Sequence, residues 1–344
     1  MEQRILLIRL SAIGDVINTL PALTLLRRAL PRAHLAYVVE DRARELVIGH
    51  PLLDQVYVFP RRRWRKMLRA GDALRLGKEL VSYREELRSA RFDVSLDFQG
   101  NLKGAMHARF CGAPRRIGFA RGYGRELSHL LATEQVVPPA DRPHRVDKFV
   151  SLLRPLGIEG GAREYVLPPS PEARERIGGL LAGRGLVGQR LALVHPGTSE
   201  RGSGKRWPPE RFAALAARVA EESDTRVWIT WGPTERALAE SVASAAGEGV
   251  EVAPETASLL ELAELLRRAA VFVSADTGPM HLAAACGTPC VALFGPKDPA
   301  TYRPYGDGHT VIHHGDRPGE PGILRINVDD VRSAVAATLR SRAA

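Results

Sequence analysis

Asp15 is the first candidate catalytic residue along the chain, because its carboxylate can accept a proton. It ends the segment Ser-Ala-Ile-Gly-Asp at 11–15, directly after an apolar run of strand length. A carboxylate at the carboxyl end of a strand can act as a general base toward a ligand bound beyond the sheet. Asp is also common at a helix N-terminus, where it accepts backbone N–H groups. The local sequence leaves both roles open.

A second polar group follows an apolar strand in the other half of the chain. Thr198 and Ser199 end the sequence His-Pro-Gly-Thr-Ser, and Lys205 lies a few residues further along. A loop of glycine and hydroxyl residues can aim backbone N–H groups at phosphate oxygens, and a lysine adds positive charge. The alternative is a flexible surface loop with an exposed lysine.

A third group opens a helix after another apolar strand. Asp276, Thr277 and Gly278 begin the sequence Asp-Thr-Gly-Pro-Met-His, which ends at His281 and leads into a helix of small residues. Free backbone N–H groups and the positive end of the helix dipole favour a diphosphate there. The alternatives are that Asp276 and Thr277 only cap the helix and that His281 is a packing residue.

Glu235 and a set of basic residues complete the candidates. Glu235 ends Thr-Trp-Gly-Pro-Thr-Glu, where it can accept hydrogen bonds from a ribose or favour a helix start. Basic side chains can bind phosphates or anionic lipid headgroups, and a solvated loop is the alternative. The basic candidates of the first half are Arg61, Arg62, Arg63, Lys66, Lys103 and Arg121.

The positive charge of the chain is concentrated in its first half. The 344 residues carry 49 Lys and Arg against 39 Asp and Glu, a net charge of +10. Residues 1–170 hold 29 basic and 18 acidic side chains, whereas residues 171–344 hold 20 and 21. This asymmetry predicts an anionic partner for the first half. Nucleic acid is not expected as a partner, because the basic tract has one interleaved aromatic residue and no nucleic-acid motif.

Apolar runs of strand length alternate with helix-period segments, a pattern typical of parallel sheets covered by helices. In the first half the predicted strands are 5–10, 34–40 and 93–98, and the predicted helices are 15–30, 74–87 and 101–110. In the second half the predicted strands are 191–195, 227–231, 250–253, 271–274 and 291–294, and the predicted helices are 209–221, 234–246, 259–268 and 278–285. The sequence predicts an α/β protein with two doubly wound parallel-sheet domains facing each other across a cleft.

The domain boundaries follow from a stretch rich in Gly and Pro. The predicted order is an N-terminal domain at 1–165, a linker at 166–188, a second domain at 189–325 and a C-terminal helix at 326–344.

Three cysteines without paired spacing favour a reducing, cytoplasmic setting. No apolar run reaches the ~18 residues of a spanning helix.

Several common nucleotide and metal motifs are missing from the sequence. There is no G-x-x-x-x-G-K-[ST] loop, and the first strand–helix turn has one glycine instead of three. No Asp-x-Asp occurs, so a diphosphate clamped by a metal ion has no obvious ligands. The sequence therefore predicts neither a metal ion nor a dinucleotide cofactor.

Taken together, these motifs resemble glycosyltransferase family 9, the family of lipopolysaccharide heptosyltransferases. The resemblance is in order and nearly full length, over the stretches 8–22, 97–103, 195–197, 205–208, 276–285, 294–299 and 324–331. It implies the GT-B fold of two Rossmann-like domains. It further implies that the N-terminal domain binds the acceptor and the C-terminal domain binds the nucleotide-sugar donor.

The resemblance also implies an inverting, metal-independent reaction. A heptose would pass from ADP-L-glycero-D-manno-heptose, a substrate and not a cofactor, to the Kdo and heptose inner core of lipopolysaccharide. Asp15 would be the base, and Lys205 would stabilise the departing ADP. The implied donor-binding residues are Thr198, Ser199, Lys205, Glu235, Asp276, Thr277, Gly278 and His281. The implied acceptor-binding residues are Ser11, Gly14, Arg61, Arg62, Arg63, Lys66, Lys103 and Arg121.

An anionic lipid A acceptor implies a peripheral position on the cytoplasmic face of the inner membrane. Two alternatives remain open from the sequence. One is a sugar-nucleotide 2-epimerase on the same fold. The other is a non-catalytic protein that binds an anionic glycolipid through the same basic surface.

Overall fold

The computed structural model describes residues 2–139, 143–198, 204–222, 224–317 and 320–341. The chain divides into two units, Met1–Pro169 and Ser170–Ala344. Each unit is built on one parallel β-sheet with helices between its strands.

The first unit has six strands among its described residues, in the order β3-β2-β1-β4-β5-β6. These strands are β1 (Arg4–Ile8), β2 (His34–Glu40), β3 (Gln55–Phe59), β4 (Val94–Asp97), β5 (Arg115–Phe119) and β6 (Glu134–Val136). The α-helices are α1 (Ile13–Ile17), α2 (Leu20–Ala29), α3 (Arg61–Arg69), α4 (Ala73–Ser89), α5 (Leu102–Phe110) and α6 (Arg145–Val150). Short 3₁₀ helices are Arg44–Leu46, Ser128–Leu131 and Ser151–Leu156.

The strand order of the first sheet places Asp15 at a position suited to ligand binding. The order reverses between β1 and β4, and Ile8 at the end of β1 pairs with Asp97 at the end of β4. The loops that follow these two strands therefore leave the sheet side by side. In open α/β sheets ligands bind at such a reversal point, beyond the carboxyl ends of the strands.

The second unit repeats the same topology, with the order β12-β11-β10-β7-β8-β9 across its described residues. The strands are β7 (Arg190–His195), β8 (Thr225–Ile229), β9 (Val250–Val252), β10 (Val271–Ala275), β11 (Cys290–Phe294) and β12 (Thr310–His313). The helices are α7 (Pro171–Gly183), α8 (Pro209–Glu222), α9 (Arg236–Ala246), α10 (Leu259–Arg268), α11 (Gly278–Ala285), α12 (Pro299–Tyr302), α13 (Gly322–Arg325) and α14 (Val328–Ser341). Here the order reverses between β7 and β10, where His195 pairs with Ser274.

The expected fold class, α/β with two doubly wound parallel sheets, is confirmed. Strand β2 has the predicted bounds, and each strand predicted in the second half is present within two residues. The central strands β7, β10 and β11 are easy to predict because they are buried on both faces and are therefore largely apolar. Their burial is nearly complete, as in the run RLALVH of β7.

Two predictions about local structure are wrong. The helix predicted at 15–30 is interrupted between α1 and α2, because Pro21 in the first turn of α2 has no N–H to donate to the carbonyl of Ile17. Residues 171–183, predicted as part of a linker, form α7. Ser170 caps this helix by accepting the N–H of Ala173 at 3.2 Å, and Pro171 suits the first helical turn.

Several strands and helices of the structure were not predicted from the sequence, among them β3, β5, β6, β12, α3 and α6. No helix in the described part of the chain combines the length and the apolar character needed to cross a membrane.

Candidate functional site

Asp15 lies in the first turn of α1, with its carboxylate held by two arginines. It pairs with Arg9, which is 3% exposed, and its Oδ1 is 3.2 Å from Nη2 of Arg145. Helix α1 starts after Ala12, so Asp15 occupies the third helical position and is not the N-cap residue. The two guanidinium groups stabilise the ionised carboxylate, which is the form that a general base needs. Asp15 remains 22% exposed, so a ligand can reach it.

The loop before Asp15 is fixed by residues that follow β4. The side-chain oxygen of Gln99 accepts the backbone N–H of Leu10 at 3.0 Å and that of Ser11 at 3.4 Å. The Nη1 of Arg9 donates to the carbonyl of Phe98 at 2.7 Å. The two strands at the reversal point of the first sheet therefore fix the position of the candidate base together.

Asp97 shapes the turn that carries Gln99. Its Oδ1 accepts the N–H groups of Gln99 and Gly100 at 3.0 and 3.1 Å. Burial raises the pKa of Asp97 to about 7, although these two hydrogen bonds act in the opposite direction. Gly104 of α5 packs directly on this carboxyl group, and a Cβ there would collide with it.

Lys148 adds a third cation near Asp15. Its Nζ donates to the carbonyl of Tyr123 at 2.6 Å. Burial, together with the charges of Arg145 and Arg9, lowers the pKa of Lys148 to about 8. Asp15, Arg9, Arg145 and Lys148 are called the Asp15 cluster below. With three cations and one carboxylate, it favours an anionic ligand beside the candidate base.

The structure brings two of the predicted acceptor-binding residues together at a buried carboxylate. Glu40 ends β2, and its Oε2 lies 3.1 Å from Nη1 of Arg61. Lys103, in the first turn of α5, pairs with the other oxygen of Glu40. Arg61 begins α3 and is 53% exposed, so it can also reach a ligand.

The other predicted acceptor-binding residues are dispersed. Arg63 pairs with Glu79 of α4, away from Glu40. Gly14 is buried inside α1, where it needs no unusual backbone angle, and Ser11 is half-buried in the loop before it. The remaining three, all exposed, are Arg62, Lys66 and Arg121.

In the second unit, two lysines converge on one buried carboxylate. Asp276 directly follows β10 and is 5% exposed; its Oδ2 lies 2.6 Å from Nζ of Lys205 and 2.8 Å from Nζ of Lys297. Burial alone would raise the pKa of Asp276, but Lys297 and Lys205 outweigh it and hold that pKa below its ordinary value. These three residues are called the Asp276 cluster below. One carboxylate neutralises one lysine, so a positive charge remains for an anionic ligand.

The start of α11 lies next to Asp276. Thr277 is the N-cap residue, and its hydroxyl oxygen is buried without a hydrogen-bond partner among the described residues. Gly278 is the first helical residue, and Nε2 of His281 lies 3.9 Å from Oδ1 of Asp276. A helix N-terminus with an unsatisfied hydroxyl beside two lysines is suited to a phosphate group.

Glu235 turns back from the start of α9 toward the end of β7. Its Oε2 accepts the N–H of Gly232 at 2.9 Å and lies 3.7 Å from Nε2 of His195. Glu235 also packs on Gly197, where a Cβ would collide with the carboxylate. Burial lowers the pKa of His195, whose Nδ1 lies 3.2 Å from the carbonyl oxygen of Thr230.

Thr198 lies in the same loop, after β7. Its hydroxyl accepts a hydrogen bond from Nε of Arg206 at 3.3 Å. Ser199, predicted as a donor-binding residue, lies outside the described residues. Among the side chains that the structure describes, no three of His, Cys, Asp or Glu are grouped so that they could hold a metal ion.

Sequence reasoning missed four residues of the two clusters, namely Lys297, Arg9, Arg145 and Lys148. A signal existed for Lys297, since it follows β11 in the sequence Phe-Gly-Pro-Lys-Asp-Pro at 294–299. The sequence also gave a signal for Arg9, which is the one charged residue in the apolar run 5–10. Nothing local marks Arg145 or Lys148, because only the tertiary fold brings α6 to Asp15.

Comparison with known proteins identifies the family. Residues 80–323 match the description "Glycosyltransferase family 9 (heptosyltransferase)". Lipopolysaccharide heptosyltransferase 1 of Pseudomonas aeruginosa is 32% identical over 330 residues, covering 94% of this chain and 86% of that protein.

Solved structures agree with this match. The structure of E. coli heptosyltransferase WaaC with ADP has a TM-score of 0.78 at 26% identity, covering 98% of this chain and all of that one. The family 9 glycosyl transferase from Veillonella parvula has a TM-score of 0.82 at 23% identity, covering 98% and 97%. The chain is a glycosyltransferase and belongs to glycosyltransferase family 9, the heptosyltransferases.

Proposed function

We propose that this enzyme transfers a heptose from ADP-L-glycero-D-manno-heptose to the Kdo and heptose inner core of lipopolysaccharide, with inversion at the anomeric carbon and without a metal ion. The observation that carries the proposal is the Asp276 cluster, in which two lysines meet one carboxylate beside the N-terminus of α11. This arrangement supplies the positive charge that a departing diphosphate needs. The name of the Pseudomonas aeruginosa relative supports lipopolysaccharide as the acceptor.

The donor is held by the second unit. The diphosphate contacts Lys205, Lys297 and the N–H groups at the start of α11, and it accepts the hydroxyl hydrogen of Thr277. Glu235 accepts hydrogen bonds from the ribose hydroxyls, because one of its oxygens binds Gly232 and the other can face a ligand. The structure of WaaC with ADP supports an adenine nucleotide as part of the donor.

The acceptor is held by the first unit, whose excess positive charge suits phosphates and the carboxylates of Kdo. Asp15 takes the proton of the acceptor hydroxyl, whose oxygen forms a bond to the anomeric carbon. The bond from that carbon to the diphosphate breaks on the opposite face, and ADP leaves with the electron pair. The lysines stabilise the charge that develops on the leaving group, which is the part a metal ion would otherwise play.

The anionic lipid acceptor also supports a cytoplasmic enzyme that works at the inner membrane surface. Such an association would rest on charge and on exposed side chains, and it would therefore weaken as the salt concentration rises.

An assay with a panel of donors tests the proposed function. Purified protein is incubated in EDTA with ADP-heptose, GDP-mannose or UDP-GlcNAc, each with and without a lipid A acceptor that contains Kdo. We expect nucleotide diphosphate release only when ADP-heptose and acceptor are both present, and NMR of the product should show an inverted anomeric centre. Release of epimerised sugar nucleotide without acceptor would establish the epimerase alternative, and acceptor binding without turnover would establish the non-catalytic one.

Lys148 gives the acceptor site a predicted pH dependence. Its lowered pKa means that the side chain is charged below pH about 8 and neutral above it. We therefore expect the KM for the acceptor to rise several-fold as the pH increases through this value. The variant Lys148→Arg should remove the rise, because arginine stays charged, and Lys148→Met should show the high KM at every pH. A KM that rises equally in the wild type and in Lys148→Arg would contradict the assignment.

A further inference from the structure

Helices α3 and α4 form a hairpin, residues 61–89, that exposes four large apolar side chains; Leu80 is 40% exposed and the other three are more than half exposed. Leu74 is 86% exposed, Leu68 67% and Val81 56%. Leu68 lies in the last turn of α3 and Leu74 in the first turn of α4, on either side of the short connection at 70–72. One exposed leucine is ordinary on a protein surface, but four such side chains within one hairpin indicate an interaction site.

The two most exposed apolar residues of α4, Leu74 and Val81, lie on the side of the helix opposite its buried residues. Leu74, Lys78 and Val81 share one side of the helix, because residues four and three apart are neighbours on a helix surface. Tyr83 and Leu87, on the opposite side, are buried. Helix α4 therefore packs through one face and presents Leu74, Lys78 and Val81 on the other, followed one turn later by exposed Glu85.

The hairpin is held firmly enough to present this face. Trp64 and Met67 of α3 are buried, and Nε1 of Trp64 donates to Oε2 of Glu79 at 2.8 Å. The rings of Trp64 and Phe59 meet edge to face, with centroids 5.0 Å apart. These contacts join α3 both to α4 and to the end of β3.

The charge around these apolar side chains is strongly positive. Residues 61–90 hold ten Lys and Arg against four Asp and Glu, so thirty residues carry +6 of the chain's +10. Exposed Arg65, Arg69 and Lys78 lie among these apolar residues. A protein partner would need a strongly acidic face to match this charge, whereas an anionic bilayer presents negative charge over its whole surface. Basic residues interleaved with apolar ones are typical of a surface that lies on an anionic bilayer.

We propose that the α3–α4 hairpin docks on an anionic lipid bilayer. Leu68, Leu74 and Val81 reach the boundary between headgroups and acyl chains, and the surrounding basic side chains bind lipid phosphates. The inference rests on the proposed function in one respect only, namely that an enzyme that modifies a lipid must reach the membrane. Docking itself requires neither donor nor turnover.

Vesicle sedimentation with the full-length protein tests the docking surface. We expect the wild type to bind phosphatidylcholine vesicles that contain phosphatidylglycerol, and to be released by added salt or by omission of the anionic lipid. Leu74→Ser with Val81→Ser should lower the partition into vesicles about tenfold, because two exposed apolar side chains are lost. Arg65→Glu with Lys78→Glu should abolish binding by reversing charge.

Val187→Ser is the matched control, because Val187 is 71% exposed in the second unit. It should bind vesicles as the wild type does, and all variants should melt at the wild-type temperature. Wild-type binding by the Leu74 and Val81 double variant, or no binding by the wild type, would overturn the proposal. So would size-exclusion chromatography in which the wild type is a dimer and this double variant a monomer, since the face would then join two copies of the chain.

A short acceptor without acyl chains separates this inference from the proposed function. Transfer to it should be equal in the wild type and in the Leu74 and Val81 double variant, because neither residue belongs to either cluster. If no protein transfers a sugar but vesicle binding still depends on these two residues, the proposed function fails and the docking surface stands.

Discussion

Replacement of Asp15 by asparagine is expected to lower kcat by about two to four powers of ten, the usual contribution of a positioned general base. Asparagine keeps the shape of the side chain but cannot accept the proton of the acceptor hydroxyl. The affinity for ADP should stay close to that of the wild type, because the residues assigned to the nucleotide belong to the second unit. Steady-state kinetics and ADP titration calorimetry measure the two effects separately.

Asp15 also neutralises buried Arg9, so the substitution has to leave the enzyme folded. Asparagine can still accept a hydrogen bond from Arg9, so Asp15→Asn is a better test than Asp15→Ala. Glu134→Gln removes another carboxylate of the first unit, one whose Oε1 lies 2.7 Å from Nε of Arg115, and it should leave kcat unchanged. If Asp15→Asn weakens ADP binding and leaves kcat unchanged, Asp15 is not the base.

Replacement of Lys205 by alanine is expected to lower kcat by about 10²–10³-fold, the typical cost of losing one group that stabilises developing charge. ADP affinity should fall in the same variant, because the diphosphate loses a direct contact. Lys297→Ala should act in the same direction with a smaller effect, since Lys297 is 36% exposed and Lys205 20%. The more buried charge acts in a lower dielectric and is therefore worth more.

The Asp276 cluster also predicts how the two lysine variants combine. In either single variant Asp276 keeps one lysine partner. The melting temperature of each single variant should therefore stay near that of the wild type. The double variant leaves a buried carboxylate without either lysine, so it should melt at a clearly lower temperature. Arg218→Ala, which removes a cation paired with Asp329 in the same unit, is the control and should change neither rate nor ADP affinity. Wild-type rate and affinity in Lys205→Ala would contradict the assignment of the leaving-group site.

The two clusters differ in how far they could be predicted. Asp276 and Lys205 each follow a strand in a short motif, so the sequence marked both as candidates. Lys297 also follows a strand, but its role depends on meeting Lys205 at the same oxygen. Lys205 follows β7 and Lys297 follows β11, so most strands of the second sheet lie between them in sequence. Only the order of the strands in the sheet brings the two loops together.

The sequence by itself determined the fold class, the buried strands, the family resemblance and the identity of Asp15, Lys205 and Asp276 as candidates. Strands buried on both faces must be apolar throughout, and residues at strand ends must allow tight turns and helix starts, so both leave local signals. Edge strand β6 is only three residues long and leaves little local signal, whereas β3, with the sequence QVYVF, is rich in strand-forming residues and was missed in spite of it. Tertiary structure alone decided that the basic run 61–69 is a helix with Trp64 buried, and that Arg9, Arg145 and Lys148 surround Asp15. These contacts join segments far apart in the chain, and their energy comes from burial and charge that exist only once the sheet has formed.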